Sequence, residues 1–154
     1  TGPGMTVSLT ADTTLTVASH AGKILLTNDA DGKFTLPSIN VNANGASAGD
    51  NDVNNLNNIG ATFHFVVETA ATDMDILTDG TDKFVGAILI GVDDGAKKAF
   101  VPAATNDVIT MNGSTKGGIL GSIVSFTAVD TGTYLVHNSL LIGSGTIVTP
   151  YADA

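Results

Sequence analysis

The residues that first suggest chemistry are two aspartates beside a glycine, in the stretch NDADGKFTLP (residues 28–37). A calcium loop places carboxylates at alternate positions and a glycine at the sixth, because the ion needs oxygen ligands around a sharp turn. With Gly32 at the sixth position, Thr27 and Ser38 would occupy the first and twelfth, where the loop requires an aspartate and a bidentate glutamate. We therefore expect no calcium loop here. The Asp-Gly pair predicts a hairpin turn that joins KILLTN to KFTLP.

Three other polar stretches also resemble turns or ligand-binding loops. TDGTDK (78–83) and VDDGAKK (92–98) are also typical of turns, and together they indicate an acidic rim without a defined coordination sphere. NGSTKGG (112–118) resembles a phosphate loop, but the Walker order needs Gly-Lys-Ser/Thr before a helix. An Asn-Gly hairpin between DVITM and GILGSIVSF is the better interpretation.

The residues that commonly perform catalysis or bind metals form no recognisable motif. His20, His64 and His137 are too far apart in the chain for a local zinc motif, and we interpret each as a structural or surface histidine. The chain has no cysteine and no Gly-x-Ser-x-Gly elbow, and Glu68 is its only glutamate. No aspartate pair stands out for glycoside hydrolysis. We expect no catalytic residue, no metal and no cofactor, and hence no enzyme.

The composition predicts which elements carry these residues. The chain has 154 residues, the length of one domain, and its hydrophobic content of 43% suffices for a core. Tryptophan and arginine are absent and aromatics make up only 5%, so the core must consist mainly of Val, Ile, Leu, Ala and Thr. Such residues favour strands. We predict a single all-β domain, an antiparallel β-sandwich or β-barrel.

Period-2 patterns indicate about ten short strands. The clearest is ATFHFVVET, where Phe63, Phe65 and Val67 alternate with Thr62, His64 and Val66. Further candidates are stretches around Val7 and Leu9, Leu15 and Val17, 23–27, GKFTLP, KFVGAILIGV, AFVP, DVITM, GSIVSFTAV, TYLVH and TIVTP. KFVGAILIGV is either buried on both faces or bent at Gly86. The best helical signal is one turn in TAATDMDILTDG (69–80), with Thr72 as cap and Asp75 three residues on.

Two segments lie outside this pattern. Residues 40–58 contain eight asparagines and almost no bulky side chain, which predicts a long exposed loop. Loops of this length are uncommon, and this one is either a tolerated insertion or a contact arm to a neighbouring subunit. The leading TGPG (residues 1–4) is interpreted as an expression scar, so that residues 5–154 form the domain.

The charge excludes several classes of partner. Fifteen acids against six scattered lysines give a net charge of −9, and phosphate binding requires a cationic patch. We therefore expect neither nucleic-acid nor membrane binding. No apolar run approaches the ~20 residues that span a bilayer, and no signal peptide is visible.

The order of the strand stretches resembles that of small structural proteins of tailed bacteriophages, especially marine ones. The resemblance rests on TLTVASHAGKILLTNDADGKFTLP, GATFHFVV, DKFVGAILI and GSGTIVTP, and on residues 121–124 and 132–136, and it covers most of residues 6–150. Tyr134 stands where tryptophan is usual in that family, and Ser122 where aspartate is common.

This resemblance implies an accessory virion protein that decorates or stabilises the capsid exterior. The implied partner is the major capsid protein, the implied assembly is a homotrimer at lattice symmetry points, and the protein would be made in the host cytoplasm. No catalytic residue follows from it. We expect shell contacts in the segment 5–12 and the Asn-rich loop, with Met5, Thr6, Val7, Asn40, Asn42, Asn44, Asn51 and Asn54 as candidates.

The alternative is a fibre or adhesin module that binds host surface glycans. Sugar faces stack on aromatic rings, and for that role the chain offers Tyr134, Tyr151 and six phenylalanines. Most of the phenylalanines lie in predicted strands. Binding to a glycan array would favour this alternative over the capsid.

Overall fold

The computed structural model describes residues 5–39 and 58–154. Residues 1–4, expected to be a scar, and residues 40–57 of the predicted loop lie outside this range. In chain order the elements are β1 (Thr6–Leu9), β2 (Thr13–Thr14), α1 (Val17–His20), β3 (Ile24–Thr27), β4 (Lys33–Thr35), β5 (Thr62–Val67), β6 (Met74–Leu77), β7 (Lys83–Val85), β8 (Ile88–Val92), β9 (Lys97–Phe100), β10 (Val108–Met111), β11 (Ile123–Asp130), β12 (Thr133–Gly143) and β13 (Tyr151–Ala152). The predicted all-β class is confirmed.

The strands form two packed sheets, as expected for a sandwich. The larger sheet has eight strands in the order β1-β3-β5-β11-β12-β8-β9, with β7 also beside β12. The smaller has five strands in the order β13-β10-β6-β4-β2. Both sheets are mixed rather than purely antiparallel, since β3 pairs in parallel with β1 and β5, and β4 pairs in parallel with β2 and β6.

Aromatic rings from both sheets meet in one core. Phe34 on β4 lies 6.4 Å from Phe65 on β5, between ring centroids, and Phe65 meets Phe126 edge to face at 5.6 Å. Phe84 on β7 lies 6.3 Å from Tyr151 on β13. These side chains are buried, so the few aromatic residues of the chain pack the two sheets against each other.

Four Asp-Gly and Asn-Gly turns were predicted as hairpins, and three of those predictions are wrong. The turn at Asp29–Gly32 is present, with the Gly32 N–H donating to the Asp29 carbonyl at 3.1 Å. However, β3 belongs to the larger sheet and β4 to the smaller, so the turn carries the chain across the sandwich. NGSTKGG likewise links β10 to β11, and TDGTDK links β6 to β7, in each case strands of different sheets. Of the four predicted turns, VDDGAKK alone closes an antiparallel hairpin, between β8 and β9.

KFVGAILIGV is bent at Gly86, as one of the two alternatives predicted. Gly86 has φ +103, and a Cβ there would clash with the carbonyl oxygen of Val136. The bend divides the stretch into β7 and β8, which pair in parallel with successive parts of β12. Burial on both faces is wrong, since Val85 and Leu89 are exposed.

Three element predictions are corrected. The stretch of Leu15 and Val17 is not a strand beyond Thr14, because the Thr16 side chain caps the single turn α1 and accepts the Ser19 N–H. The helical turn near Thr72 is absent, since β6 occupies that place in the smaller sheet. TIVTP is a loop, and the strand follows it at β13.

Candidate protein-interaction surface

One face of the larger sheet is turned away from the core. On β5 the predicted alternation is confirmed: Phe63, Phe65 and Val67 are buried, and the intervening residues face outward. The register of the neighbouring strands aligns such outward residues into cross-strand rows. We call three of these rows together the outer band.

The first row is almost entirely apolar. Reading across seven strands, the paired positions are Ser8, Leu26, Val66, Ile123, Leu140, Leu89 and Ala99. Ile123, Leu140 and Leu89 are 39%, 46% and 46% exposed. A continuous exposed apolar row of this length is unusual for the surface of a monomer and is typical of an interaction surface.

A β-bulge in β12 is what brings Leu140 into this row. Ser125 pairs with His137 and Ile123 with Leu140, so that β12 has one more residue than β11 between the two pairs. Asn138, at φ +46, lies in that bulge. The extra residue changes which side chains point outward, since Tyr134 and Val136 before it and Leu141 after it are all buried.

The second and third rows are mainly polar and contain no Asp, Glu or Lys. The second row is Thr6, Ile24, His64, Ser125 and His137, and the third is Thr62, Thr127, Leu135 and Val85. Hydrogen bonds join His64 Nδ1 to Ser125 Oγ at 2.9 Å and His137 Nε2 to Thr127 Oγ1 at 2.7 Å. Hydrogen bonds within the band thus fix the orientation of both histidine rings.

The two histidines face each other within the band. Their ring centroids are 6.5 Å apart and the rings meet edge to face. Burial, and then the neighbouring charge of His64, hold the pKa of His137 below its ordinary value of 6.5. The spacing of His64 and His137 in the sequence did not predict that their rings lie side by side. The third histidine, His20, lies in α1, where its Nδ1 accepts the Thr16 N–H at 3.0 Å.

The His64–Ser125 pair is not arranged like a hydrolase. A serine nucleophile needs a histidine oriented by a third group and free N–H donors for the oxyanion. Ser125 lies inside β11, a strand paired on both sides, and it is buried. Within the described residues, no carboxylate hydrogen-bonds to His64.

Two shallow grooves flank Leu140 on the outer band. The first, about 620 Å³, is lined by side chains that include Ile24, Val66 and Ile123. The second, about 430 Å³, is lined by Leu89, Val92 and Ile142 among others. Leu140 belongs to the walls of both. Polar side chains also line the grooves: His64, Ser125, Asn138 and Ser139 in the first, and Asp93 and Lys97 in the second. The band therefore offers an apolar ridge between two grooves of mixed character.

The predicted contact residues Met5, Thr6 and Val7 lie at the edge of the same sheet. Within the described part of the chain, β1 pairs with β3 alone. Since the carbonyls of Met5 and Leu9 accept the N–H groups of Ile24 and Asn28, the backbone groups of Thr6 and Ser8 point outward by alternation. This edge is ready to pair with another strand.

The two edges of the larger sheet differ in their protection. β9, at the far edge, carries Lys97 and Lys98, and lysines on an edge strand discourage pairing with other chains. β1 has the same length and carries neither charge nor proline, and Met5 beside it is 60% exposed. The β1 edge is the more open to a partner.

The other candidate residues, Asn40, Asn42, Asn44, Asn51 and Asn54, lie outside the described residues. At the boundary of their segment, Asn58 donates from Nδ2 to the carbonyl of Ser38 at 2.8 Å.

The tyrosines considered for glycan stacking are structural. Tyr134 donates its hydroxyl to the carbonyl of Pro37 at 2.6 Å, and Tyr151 donates to the carbonyl of Gly86 at 2.9 Å. Burial raises the pKa of both hydroxyls, helped for Tyr134 by the carboxylates of Asp82 and Asp79. Both rings belong to the core and present no exposed face.

Similarity to known proteins assigns no family to the chain, and its described residues form neither a metal site nor a membrane-spanning helix. No protein-family model, no curated protein and no solved structure matched the chain. Across residues 5–39 and 58–154, no group of three or more His, Asp or Glu side chains is placed to hold a metal ion. In the same residues, no helix has the length and apolar character to cross a membrane.

Proposed function

We propose that this protein is a structural accessory component of a tailed-phage virion, which binds the capsid exterior. The proposal joins the sequence resemblance to one structural observation, the unprotected edge strand β1 beside the exposed Met5. The major capsid protein is the proposed partner, and pairing of an extended segment of that protein with β1 is the proposed contact.

The character of the module supports a structural role. Its two sheets share one aromatic core, and among the described residues its surface offers an open strand edge and a row of exposed apolar side chains. The resemblance also implies a homotrimer at lattice points. Shell binding through β1 does not require that state.

The glycan-binding alternative gains no support from the aromatic residues. Five of the six phenylalanines and both tyrosines are buried, and Phe100 is half-buried. A sugar-binding surface ordinarily exposes such rings. No observation on the described residues favours this second function.

Shell binding can be tested by co-sedimentation of the protein with capsid shells of the phage that encodes it. Thr6→Lys places on β1 the kind of charge that β9 already carries, and Met5→Lys extends it. We expect the double variant to remain folded and to lose most shell binding. Val148→Lys, on an exposed residue far from β1 in the chain, is the control and should bind like the wild type. Unchanged binding of the double variant would contradict the proposed contact, and a wild type that does not bind shells would contradict the function.

A further inference from the structure

We propose that the outer band binds a second copy of this chain, so that two larger sheets pack face to face in a homodimer. The inference rests on the proposed structural role for its biological purpose. It assigns a partner to the outward side chains of the larger sheet rather than to the free backbone edge of β1, and Thr6 and Ser8 belong to both. An isologous contact of this kind gives a dimer rather than the trimer that the resemblance implies.

The charge distribution favours a second copy over another partner. The three rows contain no Asp, Glu or Lys, although the chain carries a net charge of −9. A cationic partner would be drawn to the acidic turns instead of this face. Two copies of an acidic protein repel each other, and they approach at least cost where acidic side chains are fewest, as along the three rows. The charged residues nearest the rows, Asp93 and Lys97 in the second groove, have opposite signs.

The size of the band is adequate for a dimer. The three rows hold sixteen paired positions, and each occupies about 4.8 Å across the strands by about 6.8 Å along them. Each copy would then cover about 520 Å², and two copies about 1,040 Å², just above the roughly 1,000 Å² expected of a specific interface. Sheets that pack face to face in sandwiches use the same kind of contact.

The surface shape of the outer band is self-complementary. Leu140 forms a ridge beside the groove lined by Ile24, Val66 and Ile123. In a two-fold contact, the ridge of each copy can enter the groove of the other, since residue pairs repeat symmetrically. One nitrogen of each histidine ring and the Ser125 hydroxyl already have hydrogen-bond partners within the chain. The second nitrogen of each ring would take its partner from the other copy, since a covered polar atom needs one.

The test is the mass of the full chain by light scattering over a range of concentrations. We expect the wild type to approach twice 15.5 kDa as concentration rises. Leu140→Lys and, separately, Leu89→Lys should each raise the dimer dissociation constant at least about tenfold. Val148→Lys, whose wild-type residue is 42% exposed outside the three rows, should leave it unchanged. Circular dichroism and thermal unfolding of each variant establish that it is folded.

Three results would overturn the inference: a wild type that stays monomeric at every concentration, a trimer, or a dimer that both band variants leave intact. The same variants are then tested for shell binding. A monomeric band variant that still co-sediments with shells leaves the proposed function standing and separates it from dimerisation. A dimeric wild type that binds no shell upholds the dimer and contradicts the function.

Discussion

Ile123 on β11 and Leu140 on β12 lie directly opposite each other, and both side chains point into solvent. Pairs of large apolar side chains in register normally stabilise the buried face of a sheet. Here the pair is exposed at the centre of a row that crosses seven strands, in a chain that is otherwise acidic. This relationship is the basis for assigning the outer band to a protein interface.

Replacing Gly86 with alanine should destabilise the protein by more than about 3 kcal/mol. Two costs combine: a left-handed backbone at φ +103, and a clash of the new Cβ with the carbonyl of Val136. Gly22→Ala is the matched control, because Gly22 has φ +74 and open space around it. Gly22→Ala should lower the free energy of unfolding by only about 1 kcal/mol. Urea unfolding of both variants measures the difference, and equal losses would show that the approach of β12 does not demand the glycine.

Removing the hydroxyl of Tyr134 should lower the free energy of unfolding by about 1 kcal/mol. The hydroxyl donates to Pro37 at 2.6 Å, and Tyr134→Phe keeps the ring while leaving that carbonyl without this donor. Urea unfolding is the measurement. Thr81→Ala, which alters an exposed side chain, serves as the control. A stability of Tyr134→Phe equal to that of the wild type would contradict the structural role of the hydroxyl.

The ion pair between Lys83 and Asp107 should make stability depend on acid pH. Desolvation alone would raise the pKa of Asp107, but hydrogen bonds from Lys83, at 2.7 Å, and from the Ala154 N–H hold it below the ordinary value of 3.8. The charged form thus stabilises the fold above pH 3.8, and this contribution is lost as the pH falls through the lowered pKa. Asp107→Asn should lower the free energy of unfolding by about 2 kcal/mol at pH 7 and by less in acid. Thermal unfolding from pH 7 to pH 2 tests this, and parallel curves for the variant and the wild type over that range would refute it.

Acid should also weaken the proposed dimer through the histidine pair. Burial and His64 lower the pKa of His137 already in the single chain. A second copy packed over the histidine pair would desolvate the rings further, so that protonation would cost more in the dimer than in the free chain and acid would favour dissociation. In the register, the neighbours of the two rings are Ile24, Ser125 and Thr127, none of them charged, so each ring faces only the other as a titratable group. We expect the dimer dissociation constant to rise about tenfold between pH 7.5 and pH 5.

The matched variants identify the source of that pH dependence. His137→Gln should flatten it, whereas His20→Gln, in α1, should leave it as in the wild type. Light scattering at both pH values measures the constant. A wild-type dimer equally tight at pH 5 and pH 7.5 would contradict the assignment.

The sequence predicted local features better than it predicted their connection. The alternation on β5 and the bend at Gly86 follow from side-chain period and backbone freedom, and both are confirmed. The turn at Asp29–Gly32 was also foreseen, but an Asp-Gly turn only reverses the chain and does not determine which sheet the next strand joins.

The outer band was harder to foresee from the sequence. Its rows depend on the pairing of strands distant in sequence, and Leu140 faces outward only because of the bulge near Asn138. Within GSIVSFTAV, the alternation of Ile123, Ser125 and Thr127 with buried neighbours was the available signal. It indicated an outward face but not the length of the apolar row across the sheet.

The most direct test of the central claim is the chemical accessibility of Ile123 as concentration rises. Because the chain contains no cysteine, Ile123→Cys and Val148→Cys each introduce a single reporter, and the original side chains are similarly exposed, at 39% and 42%. If the outer band binds a second copy, thiol labelling at position 123 should slow at least about tenfold with increasing protein concentration, while labelling at 148 stays constant. Equal and constant labelling of both positions would contradict the account.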